Sequence, residues 1–268
     1  MFVHAHPDDE ALGTGGTIAK YASEGARVCL ITCTNGEVGE VAEVPELGTV
    51  EEITARLGDV RRDELEAAVR ELGDVDLRML GYHDSGMDGT ASNDAPIAFI
   101  NQELDEVVER IVAIVREVGA HVLVTYDAYG LYGHPDHIRA HDAAMRAAEI
   151  AGVAKVYHIA FPRSLMFAGR ELAESIGIPG DEFFTADDIE RIGVDDAEIT
   201  SVIDCAAFIP HKFRALEAHR TQFGTTQMFL QMPEEFRAGF ADEHYILVRS
   251  SVPRSDRVET DLFEGLDV

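Results

Sequence analysis

The feature that most constrains the fold of this chain is a regular alternation of short apolar segments with longer amphipathic segments over its first two-thirds. Residues 27–34 (RVCLITCT) are nearly all apolar or β-branched, as in a strand covered on both faces. The other predicted strands are residues 1–5, 77–80, 121–126 and 155–161. The predicted helices are residues 13–24, 51–72, 98–118 and 135–151. This order predicts βαβ units and an α/β, Rossmann-like fold, with a mainly parallel sheet and helices on both faces.

The last third of the chain is less regular. Its predicted elements are two strands and an intervening helix, at residues 199–204, 244–249 and 208–220. The chain has no linker rich in Pro, Gly or Ser and no internal repeat. We therefore predict one domain over residues 1–268, made of a Rossmann-like core (residues 1–161) and a C-terminal elaboration (residues 162–268). The charged tail from Val252 onward is predicted to lie on the surface.

Acidic residues far outnumber basic ones, since 50 Asp and Glu against 22 Lys and Arg give a formal net charge of −28. This charge argues against nucleic-acid binding, because phosphate contacts need clustered Lys and Arg, and against docking to anionic membranes. The chain has no apolar run of membrane-spanning length and no signal-peptide pattern, so the predicted location is the cytoplasm. Three cysteines without CxxC spacing indicate small buried side chains, and nothing in the sequence determines the oligomeric state.

Two polar clusters directly follow predicted strands. The first is HAHPDDE at residues 4–10, and the second is YDAYGLYGHPDH at residues 126–137. Ligands of open α/β sheets bind beyond the carboxyl ends of the strands, where two such loops can converge. Both clusters combine imidazoles with carboxylates, which suit a divalent metal with open coordination positions. In each cluster a proline follows a histidine and stiffens the turn, which helps to hold the neighbouring side chains in place.

Together with DSGM at residues 84–87, these motifs resemble the PIG-L/LmbE-like zinc-dependent N-acetylglucosamine deacetylases. The resemblance covers nearly the whole chain and is closest to the branch that deacetylates N-acetylglucosaminyl-inositol in mycothiol biosynthesis. It implies a metal-dependent amidohydrolase that acts on linear amide C–N bonds and releases acetate from a glucosamine-containing small molecule. Zn²⁺ is the implied metal, and two histidines with one carboxylate would also suit Fe²⁺ or Mn²⁺.

The resemblance also assigns the metal ligands and the general base. His6, Asp9 and His137 would hold the metal, while Asp8 would accept a proton from the water that the metal activates. Adjacent carboxylates in different roles are chemically reasonable, because Asp9 stays ionised as a ligand while Asp8 remains free to accept the proton.

Five further residues match functional positions of the family. His134 and Tyr132 would stabilise the oxyanion or protonate the departing amine. Asp136 would hydrogen-bond to His134 and keep it cationic. Arg61 and Asp84 would contact sugar hydroxyls.

Several alternatives stay open on the sequence. His141 lies four residues after His137 on a predicted helix, which makes it a rival metal ligand. The enzyme could instead be a mycothiol-conjugate-type amidase or a chitooligosaccharide deacetylase. A Rossmann-like oxidoreductase is disfavoured because GTGG at residues 13–16 lacks the G-x-G-x-x-G spacing, and the complete His and Asp set disfavours a non-catalytic carbohydrate-binding protein. Five other histidines are predicted to have structural roles: His121, His158, His211, His219 and His244.

The acidic excess leads to a prediction about salt. We expect the midpoint of thermal unfolding to rise from low to molar KCl, because screening relieves the self-repulsion of a chain with a net charge of −28. Circular dichroism at the two salt concentrations measures the midpoint. An unchanged midpoint would assign the acidic residues to solubility alone.

Overall fold

The computed structural model describes residues 1–175, 177, 179, 185–222, 237–254 and 256–268. Its strands are β1 Phe2–His4, β2 Val28–Thr34, β3 Val75–Tyr82, β4 Val122–Thr125, β5 Lys155–Ala160, β6 Ser201–Asp204 and β7 Asp242–Ser250. They form one sheet in the order β3-β2-β1-β4-β5-β7-β6. Strands β1 to β5 run parallel, whereas β7 is antiparallel to both β5 and β6. The predicted α/β fold with a mainly parallel sheet is confirmed.

The helices of the described residues are α1 Asp9–Ser23, α2 Val50–Thr54, α3 Leu57–Leu72, α4 Leu104–Val118, α5 Gly130–Gly133, α6 Pro135–Ala151, α7 Arg163–Ser175, α8 Ala186–Ile192 and α9 Ile209–Ala218. Helices α1, α3 and α9 pack together, and α4 packs against α6. Right-handed crossovers place these two groups on opposite faces of the sheet, because the strand order runs away from β1 in both directions. Among the residues that the structure describes, no helix has the length and apolar character needed to cross a membrane.

The strand order reverses between β1 and β4, which creates a crevice beyond the carboxyl ends of these two strands. All seven residues of β2 are buried, as its apolar sequence predicts. In the last third of the chain, β6 and β7 extend the same sheet beyond β5. The organisation as a single domain stays a prediction.

Helix α1 begins at Asp9, four residues before the predicted start at Gly13. Asp9 and Glu10 therefore lie in its first turn, where acidic side chains suit the positive end of the helix dipole. Its glycines allow close packing, since a Cβ at Gly16 would lie 2.5 Å from the Cβ of Cys205. The first polar cluster thus continues into a helix and is more rigid than a loop.

The predicted helix at residues 51–72 is two helices. Thr49 caps α2, because its hydroxyl accepts from Glu52 N–H and its own N–H donates to the Glu52 carboxylate. The backbone leaves helical geometry at Arg56, and α3 begins at Leu57. Apolar residues four positions apart continue the helical period across this break, so periodicity alone does not predict it.

The prediction that the tail from Val252 onward lies on the surface is wrong for two of its described residues. Glu259 and Leu262 are buried, with 4% and 1% exposure. The Glu259 carboxylate accepts hydrogen bonds from Lys155 Nζ at 2.8 Å and from the Tyr157 hydroxyl at 2.6 Å. A buried ammonium on β5 needs a counter-charge, and the tail supplies it.

Glu259→Ala is expected to lower the free energy of unfolding by about 3–5 kcal/mol, because the buried Lys155 ammonium would lose its counter-charge. Chemical denaturation measures the change. The control is Glu24→Ala, which breaks the more exposed ion pair with Lys20 and should cost about 0–1 kcal/mol. Equal effects of the two substitutions would contradict a stabilising role of the tail.

Candidate metal centre

Two loops meet beyond the carboxyl ends of the neighbouring strands β1 and β4. His6 lies two residues after β1, and the loop after β4 leads to His137 in the first turn of α6. His6 Nδ1 and His137 Nε2 lie 3.2 Å apart. The fold therefore brings the two polar clusters of the sequence together.

Asp9 completes a compact set of three facing side chains. Its Oδ1 lies 3.4 Å from His137 Nε2, and its Oδ2 lies 3.5 Å from His6 Nδ1. Ligand atoms bound at about 2.0–2.1 Å in tetrahedral geometry are roughly 3.4 Å apart, so this spacing fits a divalent cation such as zinc.

His6 is held in the orientation that a metal ligand needs. Its Nε2 lies 3.2 Å from Asp136 Oδ2 and 3.6 Å from Asp84 Oδ1, so these carboxylates favour a proton on this nitrogen, and a cation would bind at Nδ1 in exchange for the second ring proton. Burial lowers the pKa of His6, but the two carboxylates outweigh burial and raise the pKa well above its usual value. Donor atoms of His6, His134 and His137 lie within 4.8 Å of one another, as do those of His6, Asp84 and Asp136. A metal-binding group of imidazoles and carboxylates is therefore present.

Tyr126 was not among the predicted site residues, yet it orients Asp9. Its hydroxyl accepts from Ala5 N–H and donates to Asp9 Oδ2, each at 2.7 Å. Asp9 Oδ2 also accepts from His6 N–H at 2.8 Å. The Tyr126 ring stacks on His137 with 4.1 Å between centroids. Burial would raise the pKa of Asp9, but the two histidines hold it well below its usual value, so the carboxylate stays ionised. The sequence feature that could have identified Tyr126 as a site residue is its position directly after β4.

Asp8 directly precedes Asp9 and has a backbone conformation that favours glycine. Its φ is 119°, and such a conformation costs about 1–3 kcal/mol and persists only where neighbours hold it. Arg61 Nη2 donates to Pro7 O at 2.6 Å and to Asp8 Oδ2 at 3.1 Å. Burial raises the pKa of the Asp8 carboxyl to about 6, although Arg61 opposes the rise. A carboxylate of this basicity can accept a proton near neutral pH.

The prediction that Asp136 hydrogen-bonds to His134 and keeps it cationic is wrong. The Asp136 carboxylate accepts from Ser85 N–H at 2.9 Å and lies against His6, whereas its backbone N–H donates to His134 Nδ1 at 3.1 Å. His134 is the N-cap of α6, so its Nδ1 is an acceptor and its ring proton is on Nε2. Burial, and then the neighbouring His6 and His137, lower the pKa of His134 to about 3. His134 is therefore a neutral hydrogen-bond donor.

Arg61 and Asp84, predicted to contact sugar hydroxyls, are both buried at 3% exposure. Arg61 Nη1 donates to Gly36 O at 2.9 Å, and Asp84 Oδ1 accepts from Gly86 N–H at 2.8 Å. Both side chains thus stabilise the loops around the centre, and their contact with sugar stays a prediction.

Tyr132 and His141 lie at the periphery of the candidate metal centre. Tyr132 is 39% exposed, and its hydroxyl lies 3.5 Å from His137 Nε2, on the side open to solvent. His141 Nδ1 lies 2.9 Å from the carbonyl oxygen of Tyr126. This backbone contact gives His141 a structural role, and the geometry favours His137 as the ligand from α6.

A cavity of about 300 Å³ opens beside Asp9, Tyr132 and His137. Away from these three side chains, its wall is mostly aliphatic and aromatic and includes Ile159, Phe161, Leu165, Met166, Leu172 and Phe240. The cavity therefore has a polar end at the candidate metal centre and an apolar remainder.

The profile of the PIG-L family, described as GlcNAc-PI de-N-acetylase, matches residues 1–148. The chain belongs to the PIG-L family. The 1D-myo-inositol 2-acetamido-2-deoxy-alpha-D-glucopyranoside deacetylase 1 of Catenulispora acidiphila is 43% identical over 290 residues, which cover 100% of this chain and 89% of that relative. The predicted family is confirmed, and so is the predicted class of enzyme, a hydrolytic deacetylase.

Two solved structures resemble this PIG-L chain in fold. The N,N'-diacetylchitobiose deacetylase of Pyrococcus horikoshii is 21% identical with a TM-score of 0.55, covering 92% of this chain and 82% of that one. GalB, the 4-carboxy-2-hydroxymuconate hydratase of Pseudomonas putida, is 19% identical with a TM-score of 0.60, covering 95% and 97%. Since one of the two is a hydratase, the shared fold does not by itself determine the reaction.

Tyr126→Phe is expected to weaken metal binding by roughly 10–100-fold, because Asp9 would lose the hydroxyl that orients it. Competition with a chromophoric chelator measures the affinity. Tyr157→Phe is the matched control, since its hydroxyl binds Glu259 and its loss should leave the affinity unchanged. Wild-type affinity in Tyr126→Phe would exclude Tyr126 from the centre.

Proposed function

We propose that this chain is a metal-dependent deacetylase that hydrolyses the N-acetyl amide of N-acetylglucosaminyl-inositol and releases acetate. The observation that carries the proposal is the meeting of His6, Asp9 and His137 within 3.5 Å, with Asp8 beside them. The named activity of a relative that is 43% identical over the whole chain supports this substrate. In the same proposal, the protein is a single cytoplasmic domain.

The proposed metal is Zn²⁺, held by His6, Asp9 and His137, and the same donors suit Fe²⁺ or Mn²⁺. When bound, such a cation supplies a Lewis acid that polarises the amide carbonyl and makes water more acidic. The carboxylates at His6 Nε2 and the Tyr126 hydroxyl at Asp9 support the assignment, because they orient ligand lone pairs toward a common point.

Asp8 is the proposed general base. Its carboxylate accepts a proton from the water that attacks the amide carbon, and Arg61 restrains the carboxylate at 3.1 Å. The C–N bond then breaks, the proton passes to the nitrogen, and acetate and the free amine leave.

His134 and Tyr132 are proposed to stabilise the oxyanion formed during the attack. The neutral His134 ring offers its Nε2–H, and Tyr132 offers a hydroxyl on the open side of the ligand set. Fixed donors directed at developing negative charge lower the barrier of acyl transfer. The Asp136 carboxylate has an indirect role in this scheme, because it orients His6. Arg61 and Asp84 are also proposed to contact the sugar hydroxyls, from positions with 3% exposure each.

The apolar part of the cavity favours a second candidate, a mycothiol-conjugate-type amidase. Its substrate would carry an apolar group, and an apolar wall gains more from burying such a group than from burying a polyol. A chitooligosaccharide deacetylase, whose substrate is polar along its length, is less favoured by this wall.

Asp8→Ala is expected to lower kcat by roughly 10²–10⁴-fold and to leave metal bound, because it removes a base that is not a ligand. His6→Ala should instead release the metal. Amine release and metal content, measured on both variants, test these roles, with the exposed Asp59→Ala as the control. Full activity of Asp8→Ala would reject Asp8 as the base.

The substrate is tested by amine release from N-acetylglucosaminyl-inositol, a mycothiol conjugate and N,N'-diacetylchitobiose. A preference for the inositol compound supports the main proposal, and a preference for the conjugate supports the alternative. Absence of release from all three by the metal-loaded protein would refute both.

A further inference from the structure

A buried pair of a histidine and a carboxylate lies beside the candidate metal centre, and no step of the proposed reaction uses it. His219 Nε2 donates to Glu10 Oε1 at 2.6 Å, and both side chains have 0% exposure. His219 directly follows α9, so the pair joins the first turn of α1 to a segment 209 residues away in sequence.

The second carboxylate oxygen of Glu10 holds the backbone at Asp8. Glu10 Oε2 accepts from Asp8 N–H at 2.9 Å. At the other end of the same peptide group, Pro7 O accepts from Arg61 Nη2 at 2.6 Å. The Pro7–Asp8 peptide group is therefore clamped at both of its polar atoms by charged side chains.

This clamp acts on a strained residue, since Asp8 has a φ of 119°. A residue other than glycine keeps such a backbone only where its surroundings determine it. The direction of the Asp8 side chain follows from that backbone, because the backbone sets the Cα–Cβ bond. The contacts that hold the Pro7–Asp8 peptide group thus also direct the Asp8 carboxylate.

Glu10 can hold this peptide group only while its own charge is compensated. Burying a carboxylate without a partner is strongly unfavourable, so without a partner Glu10 would turn away from Asp8 N–H. His219 is that partner: burial lowers the pKa of His219, but the Glu10 carboxylate outweighs burial and raises it. The segment is anchored further because the N–H and hydroxyl of Thr221 donate to the buried Glu64 carboxylate at 2.9 and 2.7 Å.

We propose that Glu10 and His219 are positioning residues for the general base, which hold the Pro7–Asp8 peptide group and so direct the Asp8 carboxylate at the attacking water. The inference rests on the proposed function, because that function makes Asp8 the base. The pair acts through Asp8, so its loss should lower turnover while substrate affinity and metal content stay near wild type.

The test compares His219→Leu with His219→Gln in the zinc-loaded, full-length protein. Leucine removes the donor, whereas the glutamine amide can still donate to Glu10. We expect His219→Leu to lower kcat by roughly 10–100-fold, with KM within about twofold of wild type and full metal content. His219→Gln should recover most of the lost kcat.

Glu10→Leu and Glu64→Leu separate positioning from folding. Both remove a buried carboxylate that binds the segment from His219 to Thr221, but only the Glu10 carboxylate also accepts from Asp8 N–H. We expect kcat to fall in Glu10→Leu and to stay near the wild-type value in Glu64→Leu, with similar losses of thermal stability. This pair decides the question if His219→Leu does not fold.

Three results of the activity and metal measurements would overturn the inference: wild-type kcat in folded His219→Leu, loss of metal that accounts for its lower kcat, or equal kcat in the leucine and glutamine variants. Absence of amine release by the wild type would instead refute the proposed function. Crystal structures then test the inference separately. Relaxation of the Asp8 φ in His219→Leu supports it, and an Asp8 φ that stays near 119° in both proteins refutes it.

Discussion

The candidate metal centre depends on the compensation of charge among groups that lie largely out of water. Imidazoles and carboxylates packed this closely are stable only when each charge has a partner. His6 is the central case, since its Nε2 faces Asp136 and Asp84 while its Nδ1 faces His137 and Asp9. The carboxylates on one side of the ring place the proton there, and this leaves the opposite nitrogen available to a cation.

The same requirement gives the C-terminal third of the chain its role. His219 compensates Glu10 in the first turn of α1, and Glu259 compensates Lys155 on β5. Two buried charges in the first 161 residues thus find their partners in the last third of the chain. Together with β6 and β7, which extend the sheet, these contacts make the last third of the chain part of the structure that holds the centre.

Fold and reaction are separate matters in this architecture. The hydratase GalB matches this chain with a TM-score of 0.60, and the diacetylchitobiose deacetylase matches it with 0.55. The reaction class follows from the close relatives, and the arrangement of His6, Asp9 and His137 gives it a structural basis. The cavity begins at these side chains and becomes apolar farther away.

The sequence by itself determined the parallel sheet, the two motif loops and their meeting, because apolar periodicity and strand-end motifs are local patterns. Only the tertiary structure decided which side chains pair. Asp136 binds His6 rather than His134, because His134 is committed to capping α6 through Nδ1. Glu10 finds its partner in His219, 209 residues away. The local sequence does not predict such pairs. They depend on which elements the sheet order makes neighbours, and on which buried charges then need a partner.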